Sequence, residues 1–269
     1  MENSSEDPDT EGSYSSSIWM YRHANRLDEE DPNWIFDQEY TFDPPLSNAG
    51  FDTANRMGHF IWNTEKDKLL SFDDLSGLKL FSSPFQRCLQ TSSRIASVIE
   101  NNWSIAKKKP HQNQIKICIE FGLAEDIPDR EVLDPYELIE QKDLILNYLD
   151  PNTDVDILHR IDTEYDSMYE PNSRSTHATD EEYQERVSFI YNHLMNTGHH
   201  TILISSHLDE THVAYRKIMK TELPKRYKYG IMANIINNIE PLTTPKEDNI
   251  WSIRHHLWEH HEDIKEKTD

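Results

Sequence analysis

The sequence predicts a three-layer α/β/α sandwich with a mostly parallel central sheet. Two short apolar runs, rich in β-forming residues, carry this prediction. Residues 17–21 lead to His23, and residues 201–206 lead to His207. Such runs alternate with segments of helical periodicity, which is typical of layered α/β folds. Because open α/β sheets bind ligands at the carboxyl ends of their strands, we expect both histidines at one binding edge.

The remaining elements follow in order from local signals. Residues 24–45 predict an ordered loop held by four aromatic residues, Trp34, Phe36, Tyr40 and Phe42. Ser47 is an N-cap signal for the helix that follows it. The other predicted helices are 85–102, 134–148, 180–193 and 209–220. The predicted strands are 17–21, 78–83, 115–121, 201–206, 231–239 and 249–254.

The chain of 269 residues is long enough for one large domain or two small ones, and its apolar fraction of 36% is low. That fraction favours one compact domain, residues 17–255, between two polar tails. Residues 1–16 are acidic and rich in Ser, which predicts disorder. Residues 256–269 are a polar C-terminal tail. Residues 124–180 are acidic and irregular, and we expect them to form a cap region inserted over the sheet.

The charge balance excludes whole classes of partner. With 27 Lys and Arg against 49 Asp and Glu, the net charge is −22, which repels nucleic acid and anionic membranes. No apolar run is long enough to span a membrane, and no signal peptide is recognisable. Two cysteines, Cys88 and Cys118, do not make a disulfide scaffold. We therefore expect a cytoplasmic protein, with the nucleus as a second option.

Neither a metal nor a cofactor is expected. The C-terminal histidines favour an exposed polar tail over a metal site, and the sequence contains no Walker motif and no Gly-rich dinucleotide loop. The oligomeric state stays open, with a homodimer as one option.

Five groups of residues then occur in the order and spacing of a known superfamily. They are Arg22-His23-Ala24-Asn25-Arg26, Pro45-Leu46-Ser47 with Gly50, Ser82-Ser83-Pro84 with Arg87-Cys88 and Gln90-Thr91, Glu125, and Ser205-Ser206-His207. Through them the chain resembles branch 1 of the histidine phosphatase superfamily, which has the phosphoglycerate mutase-like fold, over about residues 18–255. Within it, the chain is most similar to the catalytic domain of the suppressor of T-cell receptor signalling phosphatases and to ecdysteroid-phosphate phosphatases.

The chemistry of these residues agrees with the resemblance. A neutral imidazole is a good nucleophile at pH 7, and attack of His23 on phosphorus would give a phosphohistidine. Guanidinium groups keep their charge and bind two phosphate oxygens at once. The candidate phosphate-binding arginines are Arg22, Arg26 and Arg87.

The resemblance implies two further catalytic residues. His207 is the second histidine, which contacts the phosphate and polarises it in the transition state. Glu125 is the general acid, which protonates the leaving oxygen and then activates water. The neighbouring acids Asp126 and Asp129 remain alternatives to Glu125.

The expected activity is that of a histidine acid-type phosphatase, a metal-independent phosphomonoester hydrolase. Its expected partner is a phosphorylated small molecule or phosphoprotein, with phosphotyrosine or another bulky aromatic phosphoester as the substrate class. Ala24 and Leu208 stand where the superfamily has glycine. They raise the alternative of a catalytically impaired pseudophosphatase that acts as a protein-binding module. A phosphoglycerate mutase-type phosphotransferase is a further alternative.

Overall fold

The computed structural model describes residues 16–37, 43–125, 155–169, 179–217, 232–237 and 251–254. The strands are β1 Ser16–Arg22, β2 Leu78–Ser82, β3 Ile117–Ile119, β4 Thr201–Ser206, β5 Met232–Asn237 and β6 Trp251–Arg254. The helices are α1 Leu27–Glu30, α2 Asn48–Ser71, α3 Gln86–Lys107, α4 Val155–Arg160, α5 Asp180–Met195 and α6 Leu208–Lys217. Two 3-10 helices cover Trp34–Asp37 and Phe121–Leu123.

The six strands form one sheet in the order β3-β2-β4-β1-β5-β6. The four strands from β3 to β1 run parallel, whereas β5 is antiparallel to β1 and β6 is antiparallel to β5. The register pairs Arg22 of β1 with Ser206 of β4, and the backbone N–H of His23 donates to Ser206 O at 3.0 Å. His23 and His207 therefore leave neighbouring parallel strands at the same level and at the same edge.

Helices cover both faces of this sheet, which confirms the predicted three layers. Trp19 and Tyr21 of β1 face the core formed with α2 and α3. The alternate residues Ile18 and Met20 face the second core, to which α5 and α6 contribute. This alternation follows from the two-residue period of a strand. All four side chains are fully buried, as a strand between two helical layers requires.

Most element boundaries agree with the sequence prediction, and the differences have local causes. Ser47 caps α2 as predicted, because its Oγ accepts from Gly50 N at 3.0 Å. Helix α3 continues past the predicted end at residue 102, since Trp103 is buried in the core. Strand β3 is shorter than predicted, because the chain turns into a 3-10 helix at Phe121. Ser16, predicted as disordered, is the first residue of β1.

Three predicted segments lie outside the described residues: the helix at 134–148, the tail before Ser16 and the tail at 256–269. Among the helices that are described, none is both long and apolar enough to cross a membrane.

The loop at residues 24–45 differs from its prediction. Phe36 does not hold the loop, because its side chain is 79% exposed. A backbone bond holds it instead, since Leu27 N donates to Pro45 O at 2.8 Å. Outside the described residues lie Tyr40 and Phe42.

Within the predicted cap, residues 155–161 belong to the core formed with α2 and α3. Ile157 and Ile161 are buried against α3 and β3, and Ile161 forms a parallel bridge with Ile117. This part therefore extends the edge of the sheet. Tyr165, Met168 and Tyr169 pack against the second core instead, and the expectation of a cap over the sheet stays a prediction.

Candidate active site

The side chains of the candidate site come from the carboxyl ends of the four parallel strands. β1 ends at Arg22 and is followed by His23, and β4 is followed by His207. β2 leads into α3, whose second residue is Arg87. β3 and its 3-10 helix lead to Glu125. The parallel topology thus places residues that are far apart in sequence at one edge, as predicted.

Arg87 lies at the centre of the site and contacts four side chains, which together with it form the central cluster. They are His23, Asp43, Glu125 and His207. Its Nε donates to His23 Nε2 at 3.3 Å, and its Nη2 donates to Glu125 Oε2 at 2.5 Å and to His207 Nδ1 at 3.2 Å. Its Nη1 donates to Asp43 Oδ1 at 2.9 Å. The side chain is only 1% exposed, and the Phe85 ring lies 4.4 Å from the guanidinium carbon. Arg87 is therefore a fixed, desolvated cation in the middle of the site.

His23 presents an unprotonated nitrogen to this cation. Its Nδ1 lies 2.8 Å from Ala24 O, and a carbonyl oxygen only accepts, so Nδ1 carries the hydrogen. Nε2 then holds the lone pair and accepts from Arg87. Burial, followed by the positive charges of Arg87 and Arg22, lowers the pKa of His23 well below its ordinary value. The imidazole is neutral at pH 7, with a nucleophilic Nε2.

His207 is also neutral, because it is buried beside the same cation. Its hydrogen lies on Nε2, whereas that of His23 lies on Nδ1. Its Nδ1 accepts from Arg87, so its Nε2 carries the hydrogen and donates to Ser83 Oγ at 2.9 Å. Burial and the charge of Arg87 lower its pKa well below the ordinary range. Its ring centroid lies 5.3 Å from that of His23 and 5.0 Å from that of Phe85. The Arg87 guanidinium therefore contacts both imidazole rings, which are arranged edge to face.

Glu125 is the predicted general acid, and its carboxyl group reaches the site. Besides its bond to Arg87, Oε2 lies 3.5 Å from His207 Nδ1, and the side chain is 29% exposed. Its carboxyl group thus reaches the site from the solvent side. Outside the described residues lie the alternatives Asp126 and Asp129.

A second glutamate, Glu120, stabilises the 3-10 helix that leads to Glu125. It is fully buried, and its Oε1 accepts from Gly122 N at 3.0 Å and from Ser167 Oγ at 2.7 Å. Its Oε2 accepts from Tyr165 OH at 2.7 Å. These bonds join the 3-10 helix after β3 to the segment 165–169. Glu120 therefore has a structural role, in contrast to Glu125.

The other two predicted arginines lie beside the central cluster. Arg22 is largely buried and close enough to Arg87 and Glu125 to interact with their charges. Arg26 is bound in two places by Asp28, with Nε to Oδ1 at 3.0 Å and Nη2 to Oδ2 at 2.7 Å. The structure thus brings four predicted residues into direct contact and places these two at the periphery.

Asp43 is the residue that the sequence analysis missed. Its side chain is 1% exposed, and its Oδ2 accepts from Gln86 N at 2.6 Å while Oδ1 binds Arg87. A signal for it existed, because Asp43 stands directly before the run that leads to Ser47. Thr91 was noted only as part of a motif. Its Oγ1 accepts from Ala24 N at 3.1 Å and thereby ties the His23 loop to α3.

The two departures from the superfamily pattern do not strain the backbone. Lys108 is the one non-glycine residue with positive φ among those described, so neither Ala24 nor Leu208 adopts the left-handed conformation that favours glycine. Ala24 is fully buried, and Leu208 is half-buried as the first residue of α6. Within the described ranges, His, Cys, Asp and Glu form no group of three that could hold a metal ion.

Solved structures of similar fold have been found by comparison. The ecdysone phosphate phosphatase from Bombix mori, in complex with tungstate, is 16% identical over 87% of this chain and 95% of its own, with a TM-score of 0.48. A phosphoglycerate mutase from Bacillus anthracis is 16% identical over 90% and 92%, with a TM-score of 0.46. The protein histidine phosphatase SixA, complexed with tungstate, is 13% identical over 90% and 96%, with a TM-score of 0.45.

No family model matches the chain, and no curated protein sequence matches it.

Proposed function

We propose that this protein hydrolyses phosphomonoesters through a phosphohistidine on His23, without a metal ion. The observation that carries this proposal is the pairing of a neutral His23, its Nε2 lone pair exposed to the site, with the buried Arg87 guanidinium. A nucleophile and a fixed cation at hydrogen-bond distance are what phosphoryl transfer needs, because charge develops on the phosphoryl oxygens.

The reaction has two balanced steps. First, His23 Nε2 bonds to phosphorus while the P–O bond to the alcohol breaks, and the leaving oxygen takes a proton from Glu125. Second, water attacks phosphorus and gives its proton to Glu125, and the N–P bond breaks to release phosphate. Arg87, Arg22 and Arg26 would donate hydrogen bonds to the phosphoryl oxygens, and His207 would contact the phosphoryl group beside Arg87.

Glu125 changes partners during this cycle. Its carboxyl oxygen binds Arg87 Nη2, a donor that a phosphoryl oxygen would use, and lies 3.5 Å from His207 Nδ1. An incoming phosphate therefore competes with Glu125 for the guanidinium and displaces the carboxyl group towards the leaving oxygen. The 29% exposure of Glu125 is consistent with this movement, because nothing encloses the side chain completely.

We propose a bulky aromatic phosphoester, such as phosphotyrosine, as the substrate class. The resemblance of the sequence motifs to signalling and steroid-phosphate phosphatases supports it. Exposed apolar side chains shortly after the predicted phosphate-binding Arg26 in sequence also support it, since Ile35 is 42% and Phe36 79% exposed in the 3-10 helix that follows α1. Both free phosphoesters and phosphoproteins carry such groups.

A pseudophosphatase role loses its main support. It depended on a need for glycine at Ala24 and Leu208, and neither residue has left-handed backbone. The cluster of His23, Arg87 and His207 is also intact. No observation favours a mutase over a hydrolase, and product analysis separates the two.

The test is hydrolysis of p-nitrophenyl phosphate in the presence of EDTA. We expect the wild-type protein to release p-nitrophenol and His23→Ala to release none. His193→Ala is a matched control, because His193 lies on the exposed face of α5. Rapid quenching should trap a phosphoenzyme that is stable to alkali and labile to acid, as a phosphohistidine is. Equal activity of His23→Ala and wild type would contradict the proposal, and so would inactivity of the folded wild-type protein.

A further inference from the structure

Three side chains that the mechanism does not use have buried polar atoms and form a cluster next to the segment that carries Glu125. They are Tyr183, Arg186 and Glu210. Glu210 is in the first turn of α6, three residues after His207, and is fully buried. In the part of the chain that the structure describes, neither of its carboxyl oxygens makes a hydrogen bond of normal geometry. The same holds for the neighbouring Tyr183 OH and Arg186 Nε. The Tyr183 hydroxyl is the side-chain donor close to this carboxyl group. A buried carboxylate with so few donors costs far more free energy than a neutral carboxylic acid.

The cluster is connected to both sides of the candidate site. Arg186 Nη2 donates to Ala124 O at 3.0 Å, directly before Glu125, and the guanidinium carbon lies 5.0 Å from the centre of the Tyr183 ring. On the other side, Thr211 binds His207 O through both its backbone N, at 3.2 Å, and its Oγ1, at 2.7 Å. The turn that carries Glu210 is thus fixed to the second histidine.

We propose that Glu210 is a positioning residue of the active site, which stays protonated while the phosphate is bound and weakens anion binding when it ionises. This inference rests on the proposed function. A neutral Glu210 adds no negative charge behind Glu125 and a phosphoryl dianion. An ionised Glu210 would add one charge in a region from which water is excluded, where charges interact strongly.

The surroundings of Glu210 support this assignment. Burial, followed by the charge of Glu125, raises the pKa of Glu210 to about 8. The charged and titratable groups around it are Glu125, Tyr183, Arg186, Tyr191, Cys88 and, next to it in sequence, Asp209. Arg186 is the one cation among these groups, and it also binds Ala124 O. The carboxyl is therefore neutral at pH 7 and ionises as the pH rises through about 8.

The test is the affinity for tungstate, a phosphate analogue that remains a dianion over the working range. We would measure its dissociation constant from about pH 6 to about pH 10 for wild type and Glu210→Gln. Wild-type affinity should fall roughly tenfold above pH 8, whereas Glu210→Gln, which is always neutral, should lack this decrease. Glu65→Gln is the control, because Glu65 is also buried but binds Ser17 and Trp19 at the other end of β1.

A second measurement reads the proton on Glu210 without any ligand. The infrared band of a protonated carboxyl group should be present at pH 6, disappear above about pH 8, and be absent from Glu210→Gln. If Glu210→Gln does not fold, Glu210→Met provides an uncharged side chain of similar length and should give the same pH-independent affinity.

The outcomes separate the two proposals. Tungstate binding with the same pH dependence in wild type and variant overturns the role of Glu210 and leaves the proposed function standing. Absence of the carboxyl band at pH 6 overturns it too. Absence of tungstate binding by the wild-type protein at every pH overturns the proposed function, and the role of Glu210 falls with it.

Discussion

Replacement of Asp43 by asparagine should damage the site without changing its shape. Asp43 Oδ1 accepts from Arg87 Nη1 at 2.9 Å, and Oδ2 accepts from Gln86 N at 2.6 Å. Both partners donate, so in Asp43→Asn the amide NH₂ must face one of these donors. One charge-assisted hydrogen bond is lost, which is worth about 1.5–3 kcal/mol. The buried guanidinium also loses its compensating charge, and we expect unfolding free energy to fall by about 3 kcal/mol in total.

The same change should lower activity, because Asp43 holds the orientation of the Arg87 guanidinium. Misplacement of a positioning group by about 1 Å costs on the order of a hundredfold in rate, so kcat/KM for p-nitrophenyl phosphate should fall by about that factor. Urea denaturation followed by tryptophan fluorescence gives the stability. Asp52→Asn, on the exposed face of α2, is the control and should change neither quantity. A loss of less than about 0.5 kcal/mol with unchanged kcat/KM would mean that Arg87 is positioned by other groups.

Three further results are expected. Gly50→Ala should lower the unfolding free energy by about 2 kcal/mol, because the Cβ of the alanine would clash with the backbone oxygen of Asn25. An unchanged melting temperature would contradict this. Arg160→Met should cost about 3–5 kcal/mol in urea denaturation, since it leaves the buried Glu100 side chain without its two guanidinium bonds at 2.8 Å; wild-type stability would contradict a structural role for this ion pair. The lowered pKa of His23 keeps its Nε2 unprotonated in mild acid, so the pH profile of kcat/KM should show no step at the ordinary pKa of histidine, about 6.5, and a step there would contradict this.

The strands, the main helices and their order were predictable because their signals are local. An apolar run that ends in a polar residue, such as the one before His207, indicates a buried strand through its immediate neighbours alone. The cap of α2 by Ser47 is set within three residues. The motif around Arg87 likewise needs no knowledge of the fold, and these residues do meet at one sheet edge.

The local signals failed where contacts come from distant segments. Asp43 was missed because its partner Arg87 is 44 positions away. The four aromatic residues of the loop at 24–45 could not reveal that Phe36 faces solvent. The acidic composition of residues 124–180 could not reveal that Ile161 pairs with β3, since composition says nothing about register.

The order of strands and helices, the candidate nucleophile His23 and the cation Arg87 can all be derived from the printed chain, because each depends on residue type and on neighbours in sequence. Their charge states cannot. The neutral His23 and the protonated Glu210 follow from burial and from charges brought close by parallel strands. Solvation and Coulomb energies depend on distance in space, and that distance is set by the packing of segments far apart along the chain.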